Sequence, residues 1–495
     1  MNSPRRAALS AVLVSAALAI AAGAPAGALA GTPTFSVKAP SYAPPAFQPG
    51  VSVVTGDYNH DGRADVAFAN AQGADSSTAS CPLEGCVSVL VGKGDGTFVS
   101  SPAPGEEALF PNSPVNYPAG GYVSESTAAL AEGELTANGN TDLVAAVDQG
   151  HAQVPTTSPS GAGCPPEGCV AILYGNGDAN GTFQEVEDVR PAGMQGTPVA
   201  VAVGDFMGEG KVDIAVVTLK NTEGFDHGTV YIMVPDGINE ASHVKWLIPD
   251  MTPATLQGDI HSVPGMTVAQ MIHHGRIDLV VSTTPEFGGS ESETCSKTTC
   301  VQVVLNKGGE EGLNDAVGYE VKGFGQLAAA ELRPGTGYDD VLVPAGEREF
   351  GGPSGETWFW AMLNTGSEGE LETPVPYKHE GAAYPGAVVV GDFTGNGILD
   401  AAVADGGAAP PLALGRTPAL AGQGPSGRVA IFEGLGNGTF GYASTANDPE
   451  GLEGGNSALA VAELNGDCKP DLVVTGTSQT VSAGVVGAGR PAIAA

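Results

Sequence analysis

Asp57, Asn59, Asp61 and Asp65 place oxygen-bearing side chains at alternating positions and then four residues on, around Gly62. A hard divalent cation asks for about six to eight oxygen ligands and a residue that tolerates the sharp turn between them. The Arg63 carbonyl falls at a further expected ligand position. The spacing predicts a Ca2+ loop over Asp57 to Asp65, the competing reading being an ordinary Asx turn.

Weaker copies of the stretch recur along the chain. The second runs from Glu134 to Asp142 and offers Glu134, Thr136, Asn138 and Asp142. The third offers Asp205, Glu209 and Asp213, with Met207 where a ligand would stand. The fourth, Gln270 to Asp278, and the fifth, Glu331 to Asp340, have lost most acids. They put Ile272, His274 and Arg333 at ligand positions and are expected to be metal-free turns. The sixth offers Asp392, Thr394, Asn396 and Asp400. The seventh offers Glu463, Asn465, Asp467 and Asp471, with Cys468 where the first copy has Gly62. The copies start roughly 60–77 residues apart, longer than an ordinary four-stranded propeller blade, so loop insertions are expected.

The elements that must hold these loops are strands. Short apolar runs precede the loops (Val51 to Val54, Val199 to Val203, Ala387 to Val390, Ala458 to Val461) and others follow them (Asp65 to Phe68, Asp142 to Ala146, Asp213 to Val217, Asp471 to Val474). They are too short for helices and rich in β-branched residues. A third run, such as Val87 to Val91 or Val429 to Phe432, leads through a Gly/Asn turn to Thr97-Phe98, Thr182-Phe183 or Thr439-Phe440. The glycines permit a tight hairpin, and the Phe is expected to open a fourth strand and fill the space between sheets. Four strands per unit in seven units predict an all-β, seven-bladed β-propeller of four-stranded antiparallel blades. The seventh unit has only a weak third strand near Val481 to Val486. Thr32 to Val37 resembles its missing fourth strand, so the N-terminal strand is expected to close the ring and hide edges.

The stretch Gly56 to Val66 together with Gly94-Asp95-Gly96-Thr97-Phe98 resembles the FG-GAP (VCBS-type) repeat, the blade of integrin α-subunit propellers and of many secreted bacterial proteins. The resemblance covers nearly all of the chain beyond residue 30, although in copies four and five only the strands carry it. It implies calcium between the first two strands of a blade, held by Asp57, Asn59, Asp61 and Asp65.

Composition sets the compartment and excludes some partners. Arg5-Arg6, an apolar run from Ala7 to about Ala22 and Ala28-Leu29-Ala30 read as a signal peptide over 1–30, leaving 31–495 as one domain. Whether Arg5-Arg6 is a twin-arginine signal or an ordinary basic region is open. The formal charge goes from −35 to −37 when a leader with two arginines and no acid is removed. So acidic a chain is not expected to bind nucleic acid or anionic membranes, which need a basic face. No later stretch is long and apolar enough to insert in a bilayer. Cys81 with Cys86, Cys164 with Cys169 and Cys295 with Cys300 share one spacing, which predicts three local disulfides in an exported chain and leaves Cys468 unpaired.

No nucleophile elbow, zinc-protease helix or phosphate-cradling loop is present. The expectation is a secreted, calcium-stabilised, monomeric scaffold for binding or adhesion. Its ligand, an extracellular protein or carbohydrate, is placed on the face carrying the insertions Ala71 to Ser80, Pro102 to Gly120 and Gln149 to Gly163. The rival expectations are a polysaccharide lyase or hydrolase on the same scaffold and a purely structural module of an extracellular assembly. Fold analogy cannot choose among them.

Overall fold

The computed structural model describes residues 35–38, 50–70, 85–99, 115–150, 164–184, 186–222, 225–238, 244–249, 252–273, 275–285, 294–308, 312–346, 356–380, 382, 385–405, 428–447, 458–475 and 484–488. The signal-peptide reading of 1–30 lies outside them, as do Cys81, His274 and most of the three insertions. The described residues are all-β, with no helix among them.

Each loop copy joins the first two strands of its own antiparallel sheet, as the apolar runs predicted. In the sheet of copy one, Gly50–Gly56, Asp65–Asn70 and Cys86–Gly92 follow in order, and the fourth position is shared by Phe98–Val99 and Val115–Pro118. In copy two the strands are Leu130–Gly133, Asp142–Gly150, Cys169–Leu173 and Glu187–Val189, with Gly121–Val123 added beside the second. Copy three is built on a long hairpin, Asp213–Thr222 with Phe225–Ile238, between Thr197–Gly204 and Val244–Leu247. Copies four, five and six repeat the four-stranded plan, from Ile260–Ala269, Ala328–Ala330 and Pro385–Gly391 outward. In the sheet of copy seven, Ala458–Ala462, Asp471–Thr475 and Gly484–Ala488 are followed by Phe35–Lys38, which pairs with the last of them in the register Phe35↔Ala488 and Val37↔Val486.

The second and third strands of copies one and four, and the third of copy two, are buried along their whole length, which is why they read as unbroken apolar runs rather than alternating ones. They are covered on both faces by neighbouring sheets. One apolar cluster joins Ala67, Val87 and Val89 of the first sheet to Leu143, Ala145 and Ala171 of the second. Another joins Phe359 and Ala361 of the fifth to Ala401, Ala430 and Phe432 of the sixth. First strands lie against first strands of consecutive sheets: Gly50–Gly56 on Leu130–Gly133, then Thr197–Gly204, Ile260–Ala269, Ala328–Ala330, Pro385–Gly391 and Ala458–Ala462 in turn. Up-and-down sheets set side by side through their first strands are the plan of a β-propeller.

The phenylalanines of the Thr-Phe turns act between sheets. Phe183 is buried among Tyr58, Ala67 and Tyr117 of the first sheet. Phe440 packs edge-on against Phe359 and Tyr377 of the fifth. Phe440 does open a fourth strand, Phe440–Asn447. Phe183 makes only an isolated bridge to Gly175, and its strand starts at Glu187.

Disulfides Cys164–Cys169 and Cys295–Cys300 are formed, each at the start of a third strand, and Cys468 is free and exposed. Two such bridges are consistent with an extracellular protein.

Candidate metal loops

The loops are built from the backbone inward. In copy one the Asp57 carboxylate accepts the N–H of Asp61 on Oδ1 (3.1 Å) and that of Gly62 on Oδ2 (2.9 Å). The same closure recurs at Asp205, which accepts Glu209 and Gly210, and at Asp392, which accepts Asn396 and Gly397. Glu463 does it with one oxygen, accepting from Asn465, Gly466 and Asp467. Asn59 Oδ1 accepts from Asp61 N, and Asp61 Oδ1 accepts from Arg63 N. Two backbone positions in these loops are left-handed, at His60 (φ 58°) and Gly62 (φ 80°) in copy one. In copy seven the second of them is Cys468 (φ 62°), a side chain where glycine is favoured.

The last aspartate of each loop does something its spacing did not disclose. Asp65 is fully buried and links three chain segments: Oδ2 accepts from Tyr58 N and Oδ1 from Gly92 N, both at 2.8 Å. Asp142 does the same with Leu135 and Gly175, Asp278 with Met271 and Asn306, and Asp400 with Thr394 and Gly434. Asp213 accepts from Met207 N, and Asp471 from Leu464 N and Asn465 Nδ2. Each of these carboxylates thus ties its own loop, and in copies one, two, four and six it also ties the end of the third strand, as Asp340 does in copy five by accepting from Asn364 N at 2.8 Å. That approach is close. A Cβ on Gly92 would stand 2.1 Å from the Ala64 carbonyl, so the position is glycine. Burial pushes these acids up, Asp65 and Asp400 to about 6 and Asp142 and Asp213 to about 7, against the lowering effect of the backbone N–H groups.

Do these residues suit a cation? Among the described residues, no group of three or more His, Cys, Asp and Glu side chains gathers closely enough to hold a metal by itself. A cation here must also draw on amide, hydroxyl and carbonyl oxygens, which calcium accepts. Asp57, Asn59 and Asp61 keep lone pairs beyond those given to the loop backbone. Glu209 is exposed, and Asp467 Oδ1 accepts from Lys469 N. Thr136 Oγ1 and Thr394 Oγ1, both at the third loop position, are buried. Among the described residues they make no hydrogen bond of normal geometry, though the Thr394 hydroxyl faces Asp400. Loops one, two and six therefore carry surplus acceptors, and the donor set fits calcium.

Loops four and five differ. Gln270 stands at the first position of loop four, and its Nε2 donates to the carbonyls of Ile272 (2.6 Å) and Arg276 (3.3 Å). Arg276 is the counterpart of Arg63, whose carbonyl was expected as a ligand. In loop five the Arg333 guanidinium donates to both oxygens of Asp340, at 2.6 and 3.2 Å, and to the Asn364 carbonyl. His273 lies on the Tyr338 ring and faces the Thr336 carbonyl.

Two further features escaped the sequence reading. Tyr117, Tyr319 and Tyr377 each stand third in a Val-x-Tyr run on a fourth strand. The hydroxyl of each accepts a backbone N–H from the next sheet, at Phe183 (3.0 Å), Leu371 and Phe440. The recurring Val-x-Tyr was a usable signal. Glu132, on a first strand, accepts from the Tyr58 hydroxyl at 3.2 Å, and burial pushes its carboxyl up to about 8.

No family model matches the chain, and no curated protein matches it. Solved structures with similar folds include the propeller of Dos1, at 11% identity and TM-score 0.36, covering 90% of this chain and 96% of that one. The N-terminal part of BBS1, solved in complex with ARL6, gives 14% and 0.32 over 75% of this chain and 95% of that one. A chain of the Photorhabdus luminescens Tc holotoxin pore gives 14% and 0.33 over 92% of this chain. This chain spans 20% of the toxin chain's length. Likeness of this degree bears on neither function nor blade number.

Proposed function

We propose that this protein is a secreted, calcium-stabilised, seven-bladed β-propeller of the FG-GAP type that serves as an extracellular binding or adhesion scaffold for a protein or glycan. Contact between Ala458–Ala462 and Gly50–Gly56 supports closure of the ring. So do the Gly96 N–H donated to the Leu464 carbonyl and the shared cluster of Phe98 and Phe68 with Leu464 and Val473. The pairing of Phe35–Lys38 with Gly484–Ala488 supports the N-terminal strand as the closing one.

The observation that carries the calcium reading is the contrast between loops. Where acids and hydroxyls are kept, carboxylates outnumber the side-chain donors, which include Asn59 Nδ2 and the half-exposed Arg63 on Asp61 in loop one and Asn465 Nδ2 on Asp471 in loop seven. Where the acids are lost, Gln270 and Arg333 bring donors in. A cation bound to the folded form only would stabilise it by mass action. A scaffold role follows from the lack of patterned catalytic groups and from the acidic surface, which suits neutral or basic partners. Thermal unfolding with calcium and with chelator tests the ion. A rise in midpoint with calcium that Asp61→Ala abolishes supports it, and no rise removes calcium from the proposal. Retention on an array of glycans and extracellular proteins, with calcium present, tests the scaffold role.

A further inference from the structure

Loop five contains a fixed positive charge at the position where loop one has an asparagine and loops two and six have threonines. Arg333 occupies the third loop position, the place of Asn59 in copy one and of Thr136 and Thr394 in copies two and six. Its side chain does not leave for solvent. It is 24% exposed, and it turns inward onto Asp340, which is fully buried. The contact uses one edge of the guanidinium, with Nη2 on Oδ1 and Nε on Oδ2, and Nη2 also reaches the Asn364 carbonyl. A planar guanidinium matched to a carboxylate in this way is the fixed, bidentate form of the pair. Glu331, at the first position, still accepts the Gly337 N–H, as Asp57 accepts that of Gly62. The loop has thus kept its first acid and its buried last acid and exchanged the middle ligand for a cation of its own.

Loop four reaches the same end without charge. The Gln270 amide sits between the carbonyls of Ile272 and Arg276, and Gln270 N donates to Asp339 of loop five. The two loops are adjacent and tied to each other, since Asp339 N donates back to the Gln270 carbonyl.

We propose that Arg333 and Gln270 are built-in occupants of these loops, taking the place that a divalent cation takes in the acceptor-rich loops. Loops four and five then hold their shape at any calcium concentration, and loop five is a masked cation site uncovered by removing the Arg333 side chain. The ion-dependent part of the protein is the remaining arc, which includes loops six, seven and one and the seam between the two chain ends. This rests on the calcium reading for its ligand, but the role of Arg333 is testable without it.

The test is Arg333→Ser in the full mature chain, with Arg333→Lys beside it, compared with the parent in chelator and in calcium. In chelator Arg333→Ser leaves Asp340 buried without its cation, and the unfolding midpoint is expected to fall by about 5 °C or more. Arg333→Lys keeps the charge but not the fork and is expected to fall less. Calcium is expected to restore most of the Arg333→Ser loss, and equilibrium dialysis should find one more bound ion than in the parent. A midpoint in chelator within about 1 °C of the parent overturns the proposal. So does a loss that calcium leaves unrepaired, because Arg333 would then be a structural pair only. If Arg333→Ser does not fold in chelator, folding in calcium decides: recovery of the folded state with one more bound ion than the parent supports the proposal, and failure to fold in calcium as well overturns it. A parent that ignores calcium while Arg333→Ser responds to it would refute calcium in the other loops and leave this proposal standing.

Discussion

Asp278→Ala removes a fully buried carboxylate from a loop that no ion is expected to occupy, so its effect isolates the backbone tie from any metal. Asp278 accepts from Met271 N at 2.9 Å, Ile272 N at 3.3 Å and Asn306 N at 2.8 Å. A buried N–H left without its acceptor costs about 1–3 kcal/mol. Alanine orphans the two short bonds outright and weakens the third, so a loss of about 4 kcal/mol is expected. Asparagine keeps one acceptor but turns an NH2 toward one of the two N–H groups, and about 2 kcal/mol is expected. Urea unfolding in chelator, followed by fluorescence of Trp246, Trp358 and Trp360, would measure both. Asp236→Asn is the control. Its carboxylate forms an exposed pair with Lys245, and it should change stability by less than about 0.5 kcal/mol. An Asp278→Ala loss no larger than the control's would refute the reasoning, because the three N–H groups would then be satisfied without the carboxylate.

Other outcomes follow from the same geometry. Cys468→Gly should stabilise by about 1 kcal/mol in the same urea assay, since it relieves a side chain held at φ 62°. Tyr117→Phe removes the acceptor of the Phe183 N–H and should cost about 1 kcal/mol, seen as a lower urea midpoint with an unchanged slope. Burial pushes Asp188 up from 3.8 to about 7, so the folded chain holds a proton that the unfolded chain has already lost. Its contribution is therefore complete below pH 3.8 and is lost as pH rises to about 7, an effect on the order of 4 kcal/mol. Asp188→Asn should flatten the stability profile between about pH 4 and about pH 7, and an unflattened profile would exclude Asp188 as its source.

Some of this was legible in the sequence because the cues are local. The alternation of oxygens from Asp57 to Asp65 fixes an Asx-rich turn by itself, since each side chain bonds a backbone N–H only two to five residues away. Apolar runs such as Val87 to Val91 fix buried strands, and the glycines at 94 and 96 fix the turn that delivers Phe98. The deeper assignments needed partners distant in the chain. Asp65 looks like a ligand until Gly92, 27 residues on, is brought to its other oxygen. Arg333 looks like an eroded ligand position until folding turns it onto Asp340 and the Asn364 carbonyl. Tyr117 looks like a strand residue until the next sheet brings Phe183 to its hydroxyl.

The sequence by itself determined the strands and the oxygen-rich turns, because period and spacing act over a few residues. The tertiary structure decided which acids are buried ties, which loops carry their own donors and which residues join neighbouring sheets. Those roles depend on desolvation and on which way a side chain turns once distant segments arrive, as Gly92 does at Asp65, the Asn364 carbonyl at Arg333 and Phe183 at Tyr117, and no local pattern encodes either.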